Sequence, residues 1–413
     1  MTITSPVTTA PGSMPSVPSR YRAAPERSAR LGRVLRRVAR VREIDEQLME
    51  RIAHGFMQRD ELGAALAGAM RLPAGDPERV TMDQLRRAIA EGVDAVEDAP
   101  PALRSFFEHV ETVPSWVDWH LVEEGARVNR RLGQNAADVL LQLSLLGGYR
   151  FGGPTDLLVA TGGLTGDMTM RRLGETQKWA VAVGRPNGMR RDHEGFQLTV
   201  HVRVMHALVN ETFTPEWDVA RWGLPINQTD QAATLGLFNG VLLLGSRALN
   251  ARITPEESRA VMHLWKYIGW LVGVDDQWLV ETEREQHRLN YHILVAQADI
   301  SEAGPQLAQA IVAAQKDLHF ERFPRIGRWL SRERLLSMLT TLLGPQSMRE
   351  FGLPLRPPWA VAYVVALNTV RFRIIGRTAW GERLLQRWGD RVRRRVMFRH
   401  FGPDRPEIGA LDV

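Results

Sequence analysis

In this chain of 413 residues, the side chains whose types and spacing could do chemistry gather between Arg171 and Asp230, around one histidine, His206. Arg172-Leu-Gly-Glu-Thr176 lies upstream, Val202-Arg-Val-Met-His206-Ala-Leu-Val-Asn210 holds the histidine, and Trp222-Gly-Leu-Pro-Ile-Asn-Gln-Thr-Asp230 follows. His201 and His206 are five apart and point to different sides of a helix, so they do not chelate one metal in the i, i+4 manner. A single histidine on an apolar face is more often a satisfied core residue. The face around His206, however, carries Val202, Val209 and Phe213, with Arg203 a turn before and Asn210 a turn after. A neutral imidazole there has no obvious side-chain partner. A haem iron would be one, since it needs a single proximal His, an apolar wall and cations for its propionates. Arg172 and Thr176, four apart, share a helix face. Glu175 can pair with Arg172 at the surface, for about 0.5 kcal/mol.

Nothing elsewhere competes strongly. Cysteine is absent, which excludes disulfides, thiolate metal sites and cysteine nucleophiles. No HExxH pair, phosphate-loop glycine pattern or nucleophile elbow occurs. Trp119-His120 and the pair His287 and His292 read as ordinary residues.

The elements that must position these side chains read as helical. Length suggests two to three domains or one enlarged domain, and 44% hydrophobic residues suffice for a large core. Residues 1–27 form a low-complexity tail expected to be disordered. Residues 28–113 form a helical extension, with one pattern from Ser28 to Gly63. Residues 114–300 form the core and residues 301–413 a C-terminal helical region. Phe196, Leu198, Val200, Val202 and Val204 alternate with polar residues in strand fashion, but an isolated strand has no sheet to join, so helix is expected there. Gly236, Gly240 and Gly245 lie on or near one stripe where a neighbour or a flat ligand can approach. No apolar run reaches the roughly 20 residues that cross a bilayer. The nearest, Ala232–Gly245 and Trp359–Leu367, read as buried helix. With no secretory pattern, a cytoplasmic protein is expected. The net charge is +6, with cations gathered at Arg20–Arg42 and Arg371–Arg399. Such runs read first as solvated helix faces; no nucleic-acid partner is expected, and peripheral membrane contact through the basic C-terminal helix is the alternative.

Four motifs in order resemble the rubber oxygenase (latex clearing protein) and MpaB-type oxygenase family: Arg172-x-x-x-Thr176, Val202-Arg-x-x-His206-Ala, Pro225-Ile-Asn-Gln-x-Asp230, and Trp265-Lys-Tyr-Ile-Gly-Trp-Leu-Val-Gly273. The resemblance spans roughly Pro114 to His292. It implies an all-α fold with a globin-like core holding haem b, and an oxygenase that uses O₂ on a hydrophobic, unsaturated small molecule or polymer of isoprenoid or lipid character. His206 matches the proximal iron ligand. Arg172 and Thr176 match residues beside the haem pocket, and Arg203 and Asn227 are taken as further cofactor contacts. The rubber-cleaving members carry a lysine just before that threonine. This sequence has Glu175, a carboxylate that could act as distal base or ligand but cannot reproduce a neutral amine. Asp156 stands loosely where those members carry a distal glutamate base. A haem protein for sensing or peroxidase-like chemistry, and a helical module that docks on membrane or protein, are the other readings.

Overall fold

Side-chain caps decide where the helices begin. Asp45 accepts a hydrogen bond from the Leu48 N–H at 3.1 Å. Thr81 with Gln84, Thr254 with Glu257 and Thr282 with Glu285 form reciprocal capping boxes, each satisfying two otherwise orphaned N–H groups. In a computed structural model that describes residues 16–162 and 168–403, these starts organise helices and turns, with no strand among the described residues. The pattern expected as one stretch from Ser28 to Gly63 is divided into Pro25–Leu31, Arg33–Val38, Glu46–Gly55 and Glu61–Met70. Arg40 takes a left-handed φ of 54°, and Asp45 and Asp60 hold extended backbone at the next two starts. Periodicity alone does not register such interruptions.

The segment with strand-like alternation is a helix, Glu194–Phe213. Phe196, Val200, Val204, Ala207 and Leu208 are buried together on it, a helical spacing, while Leu198 and Val202 are half-buried. Its antiparallel partner is the helix Met168–Val183. The indole N–H of Trp179 donates to Thr199 Oγ1 at 2.9 Å, and Gly195 packs against the backbone of Val183.

A buried ion pair locks the His206 helix into the core. Arg203, 3% exposed, donates Nε and Nη2 to the two oxygens of Asp60 at 2.7 and 2.8 Å. Gly273 lies against this pair at φ 93°, where a Cβ would stand 2.6 Å from Asp60 Oδ2 and 2.9 Å from Arg203 Nε. Only glycine meets both demands. The Gly273 carbonyl accepts from Gln228 Nε2 at 2.9 Å, and Gln228 Oε1 accepts from the Asp275 N–H at 2.9 Å. The helices Glu61–Met70, Glu194–Phe213, Gln228–Phe238 and Pro255–Leu271 thereby meet at one knot.

The N-terminal strap closes over it. Residues 1–15 lie outside the described residues, but residues 16–27, expected as part of a loose tail, are pinned. Ser19 and Arg20 donate backbone hydrogen bonds to the carbonyls of Ala220 and Arg221 at 2.9 and 3.1 Å. The Arg20 guanidinium pairs with Asp230 and lies 4.1 Å from the centre of the Phe56 ring. At the other end, the helix Ala379–Phe401 is clamped to Trp119–Leu132. Arg131 Nη1 reaches Glu257 at 2.6 Å and Glu382 at 3.1 Å, and Arg127 pairs with Glu124 and Glu382. One apolar cluster runs from Leu48 to Leu385, and a second joins Leu146 and Tyr149 to Leu335–Leu353.

Of the two partners expected at the glycine stripe, a neighbour or a flat ligand, the structure has neighbouring protein. Asn239 (φ −111°, ψ −82°) divides it between the helices Gln228–Phe238 and Gly240–Ala248. Gly236 meets Asn290, Gly240 meets Gln286 and His287, and Gly245 meets Val139 and Leu143.

Two stability predictions follow from these buried charges. Arg203→Ala leaves Asp60 buried without its counter-ion and should cost about 3–5 kcal/mol in urea unfolding, with part of the loss recovered in Arg203→Ala/Asp60→Ala. A single-mutant cost under about 1 kcal/mol would remove the pair from its structural role. Glu283, beside Arg247, Ser258 Oγ at 2.5 Å and His287 Nε2 at 3.2 Å, is desolvated, which raises its pKa. The hydrogen bonds from His287, Arg247 and Ser258 overcome that and hold it near about 2. Its stabilisation is complete above the ordinary carboxylate pKa and lost as pH falls from about 4.5 toward 2, a change on the order of 3 kcal/mol. Glu283→Gln should flatten that part of the stability–pH curve.

Candidate functional site

His206 stands on the open side of its helix. Its neighbours Arg203, Val204, Ala207 and Leu208 are buried, while Val202, Met205, His206 and Val209 are half-buried. Across from it, the helix Gln228–Phe238 has the same two-sided character. Ala232, Leu235 and Gly236 are buried, Ala233, Leu237 and Phe238 are half-buried, and Thr234 is exposed. Apolar faces left partly uncovered inside a fold are surfaces that a bound group would cover.

Although His206 keeps some exposed surface, desolvation of its imidazole pushes the pKa down to about 4, against weaker opposing effects of the Asp60 charge and the Gln231 amide. The ring is therefore neutral at physiological pH and offers a lone pair. Its Nδ1 is buried and has no hydrogen-bond partner. A neutral imidazole with an unused nitrogen beside an uncovered apolar face fits an axial ligand for a flat prosthetic group. Among the described residues no three His, Asp or Glu side chains gather as a metal-binding set. A metal held by His206 would need its other ligands from elsewhere, and a porphyrin supplies four.

The antiparallel register brings the upstream motif alongside. Val183 packs on Gly195, Trp179 bonds Thr199, and the Glu175 charge acts on His201. Two further turns in the same register put Arg172 level with His206. Arg172 is half-buried and forms no ion pair with a described residue. The expected Arg172–Glu175 pair is replaced by Arg171 Nε with Glu175 Oε1 at 3.2 Å, since positions four apart stack along a helix. The Glu175 side chain is only 17% exposed, so this carboxylate lies inward beside His201. Burial lowers the His201 pKa, and Glu175 acts in the opposite direction. Thr176 is exposed, and its hydroxyl donates back to the Arg172 carbonyl at 3.1 Å.

Two expected cofactor contacts have other work. Arg203 is engaged by Asp60, with Nη1 3.5 Å from the Leu271 carbonyl. Asn227 is fully buried and caps the helix Gln228–Phe238. Its Oδ1 accepts from the Asp230 N–H at 2.9 Å, and its Nδ2 donates to Asp230 Oδ2 at 2.7 Å and to the Leu224 carbonyl at 2.9 Å. Asp156 also acts locally, its Oδ2 accepting from the Gly153 N–H at 2.8 Å at the start of the helix Pro154–Ala160. Gln231 and Asp60 act on His206 but escape a reading of sequence. Gln231 sits inside a capping motif, and Asp60 is 146 positions from His206 with no local signal to link them.

The catalytic-domain model of the family described as ER-bound oxygenase mpaB/B′/rubber oxygenase matches residues 130–374, which contain Arg172, Arg203, His206 and Gly273 but not Asp60. The rubber oxygenase of Streptomyces sp. (strain K30) is 22% identical over 197 residues, covering 44% of this chain and 46% of that protein. The chain thus spans about half the length of the curated relative it matches. The structure of latex clearing protein in its closed state superposes with a TM-score of 0.61 at 18% identity, over 83% of this chain and 91% of that one, a likeness of fold. On these grounds the chain belongs to the mpaB/rubber oxygenase catalytic-domain family.

Proposed function

We propose that this member of the family is a haem b-dependent oxygenase that uses O₂ on a hydrophobic, unsaturated substrate of isoprenoid or lipid character, with His206 as proximal iron ligand. The observation that carries the reading is the state of His206, a desolvated neutral imidazole with a buried, unpartnered Nδ1. When bound, haem supplies the oxygen chemistry that no side chain can perform alone. The relative named rubber oxygenase supports the substrate class by kinship.

The chain's own residues hold and orient. His206 presents a ligand that needs no deprotonation. The Arg203–Asp60 pair fixes the helix on which that ligand stands. Arg172, level with His206 and without a counter-ion among the described residues, is placed for an acidic group such as a haem propionate, where a guanidinium can donate two hydrogen bonds. The half-buried apolar faces receive a greasy chain and exclude water, which strengthens every polar contact inside. Glu175 and His201 form an inward-facing pair of titratable groups able to take up and pass a proton. Arg203, Asn227 and Asp156 act as supports for these elements.

Purified from haem-replete cells, the protein should show a Soret band that His206→Ala abolishes while the helical circular dichroism stays. A colourless wild-type protein that cannot be loaded with haem would rule the reading out. Glu175→Gln should keep the Soret band yet slow O₂ uptake in the presence of an isoprenoid or lipid panel, by roughly 100-fold. An unchanged rate removes Glu175 from the proton path.

A further inference from the structure

We propose that the C-terminal third carries a docking face for anionic phospholipid bilayers, and that the protein lies in the membrane interface instead of crossing it. The stretch Trp359–Arg377 is long and apolar enough to span a membrane by length and composition, yet the run expected as buried helix is two-sided. Ala360, Val364, Asn368 and Phe372 are buried against the body. Asn368 donates Nδ2 to Asn135 Oδ1 and to the Leu249 carbonyl, each at 2.7 Å. Spanning would strip these bonds and expose the Asn368 amide to hydrocarbon.

The opposite side is a stripe of Trp359, Tyr363, Val370 and Ile374, spaced four, seven and four apart, one face of a helix. A second stripe, Phe323, Ile326, Trp329 and Leu330, opens the helix Pro324–Glu350. All eight side chains are between 40% and 74% exposed. The two helices are antiparallel neighbours. Ser337 Oγ accepts from the Ala360 N–H at 3.1 Å and donates to the Pro357 carbonyl at 2.6 Å, and Tyr363 acts on Arg334. That register places Val370 and Ile374 level with the first turns of Pro324–Glu350. So much exposed aromatic and aliphatic surface marks an interaction site.

Charge selects the occupant. Residues 322–332 hold Arg322, Arg325, Arg328 and Arg332, and residues 359–377 hold Arg371, Arg373 and Arg377, with no Asp or Glu in either stretch. Arg322, Arg325, Arg373 and Arg377 have no ion-pair partner among the described residues. A second copy seated on this face would set arginines against arginines. An anionic bilayer surface neutralises them, receives the apolar side chains beneath its headgroups, and holds Trp and Tyr at the depth they prefer. On the C-terminal helix Ala379–Phe401, burial lowers the pKa of Arg393 and Arg399, while Arg383, Arg387, Arg391, Arg394 and Arg395 stay exposed and add to the positive charge of this end of the protein. The pair of apolar stripes supplies the surface that enters the lipid, and the basic helix packs on the body through Leu385, Val392 and Val396.

The test is flotation of the full chain with vesicles of phosphatidylcholine alone and of phosphatidylcholine with a third phosphatidylglycerol. Binding to the anionic vesicles should exceed binding to the neutral ones, and salt should weaken it without abolishing it. Ile374→Asp and Ile326→Asp, both at exposed positions that leave the thermal midpoint unchanged, should each lower partitioning by roughly ten-fold. The proposal is overturned if the wild-type chain does not float, if neither substitution weakens flotation, or if binding vanishes in salt as for a charge-only contact. It also fails if the chain forms a dimer without lipid that the same substitutions dissolve, because a second copy then covers the face.

Discussion

The buried pair between Arg203 and Asp60 is the constraint on which the site depends. Two charges taken out of water are tolerable only with close geometry and further hydrogen bonds, and the knot meets both conditions. Arg203 engages both carboxylate oxygens, and Gly273 leaves no side chain in the way. Because Arg203 precedes His206 by less than one turn, any rotation of the helix that moved the imidazole would break this pair. The orientation of a candidate iron ligand is thus held by an ion pair that need not touch the cofactor at all.

The same economy runs through the motifs that carry the family resemblance. Asn227, Gln228, Thr229 and Asp230 stand together because each closes a contact. Asn227 caps a helix, Gln228 clasps Gly273 and Asp275, Thr229 donates to the Ile52 carbonyl at 2.7 Å, and Asp230 holds Arg20. A motif can mark a family faithfully and still be structural. The candidates for chemistry are few by comparison: His206, Arg172, and the inward-lying Glu175 with His201.

Around this centre the two ends of the chain act as braces. The N-terminal strap packs Arg20 on Phe56, and the helix Ala379–Phe401 is held by the Arg127–Arg131–Glu257–Glu382 network. The far end of that helix rests Phe401 and His400 on Gly174, the residue beside Glu175. The C-terminal region thereby joins the wall of the site to the surface that carries the exposed apolar stripes.

Helical character and the prominence of His206 were both legible in the residues, because periodicity and residue type are local properties. Family membership was legible too, since it lies in the order of motifs along the chain. Local pattern misled where a face has two sides. Phe196–Val204 alternates like a strand, yet it is the helix expected from its all-helical surroundings, and Trp359–Leu367 looks uniformly apolar but is buried on one side alone. Sequence by itself determined which residues were available: a lone histidine, an arginine and threonine one turn apart, and a glutamate where relatives place a lysine. Tertiary structure decided which of them were free. Asn227 is held by its own neighbours Leu224 and Asp230. Glu175 came beside His201 because another helix packs there, and Arg203 became a strut because its counter-charge, Asp60, comes from a distant part of the chain and only folding brings the two together.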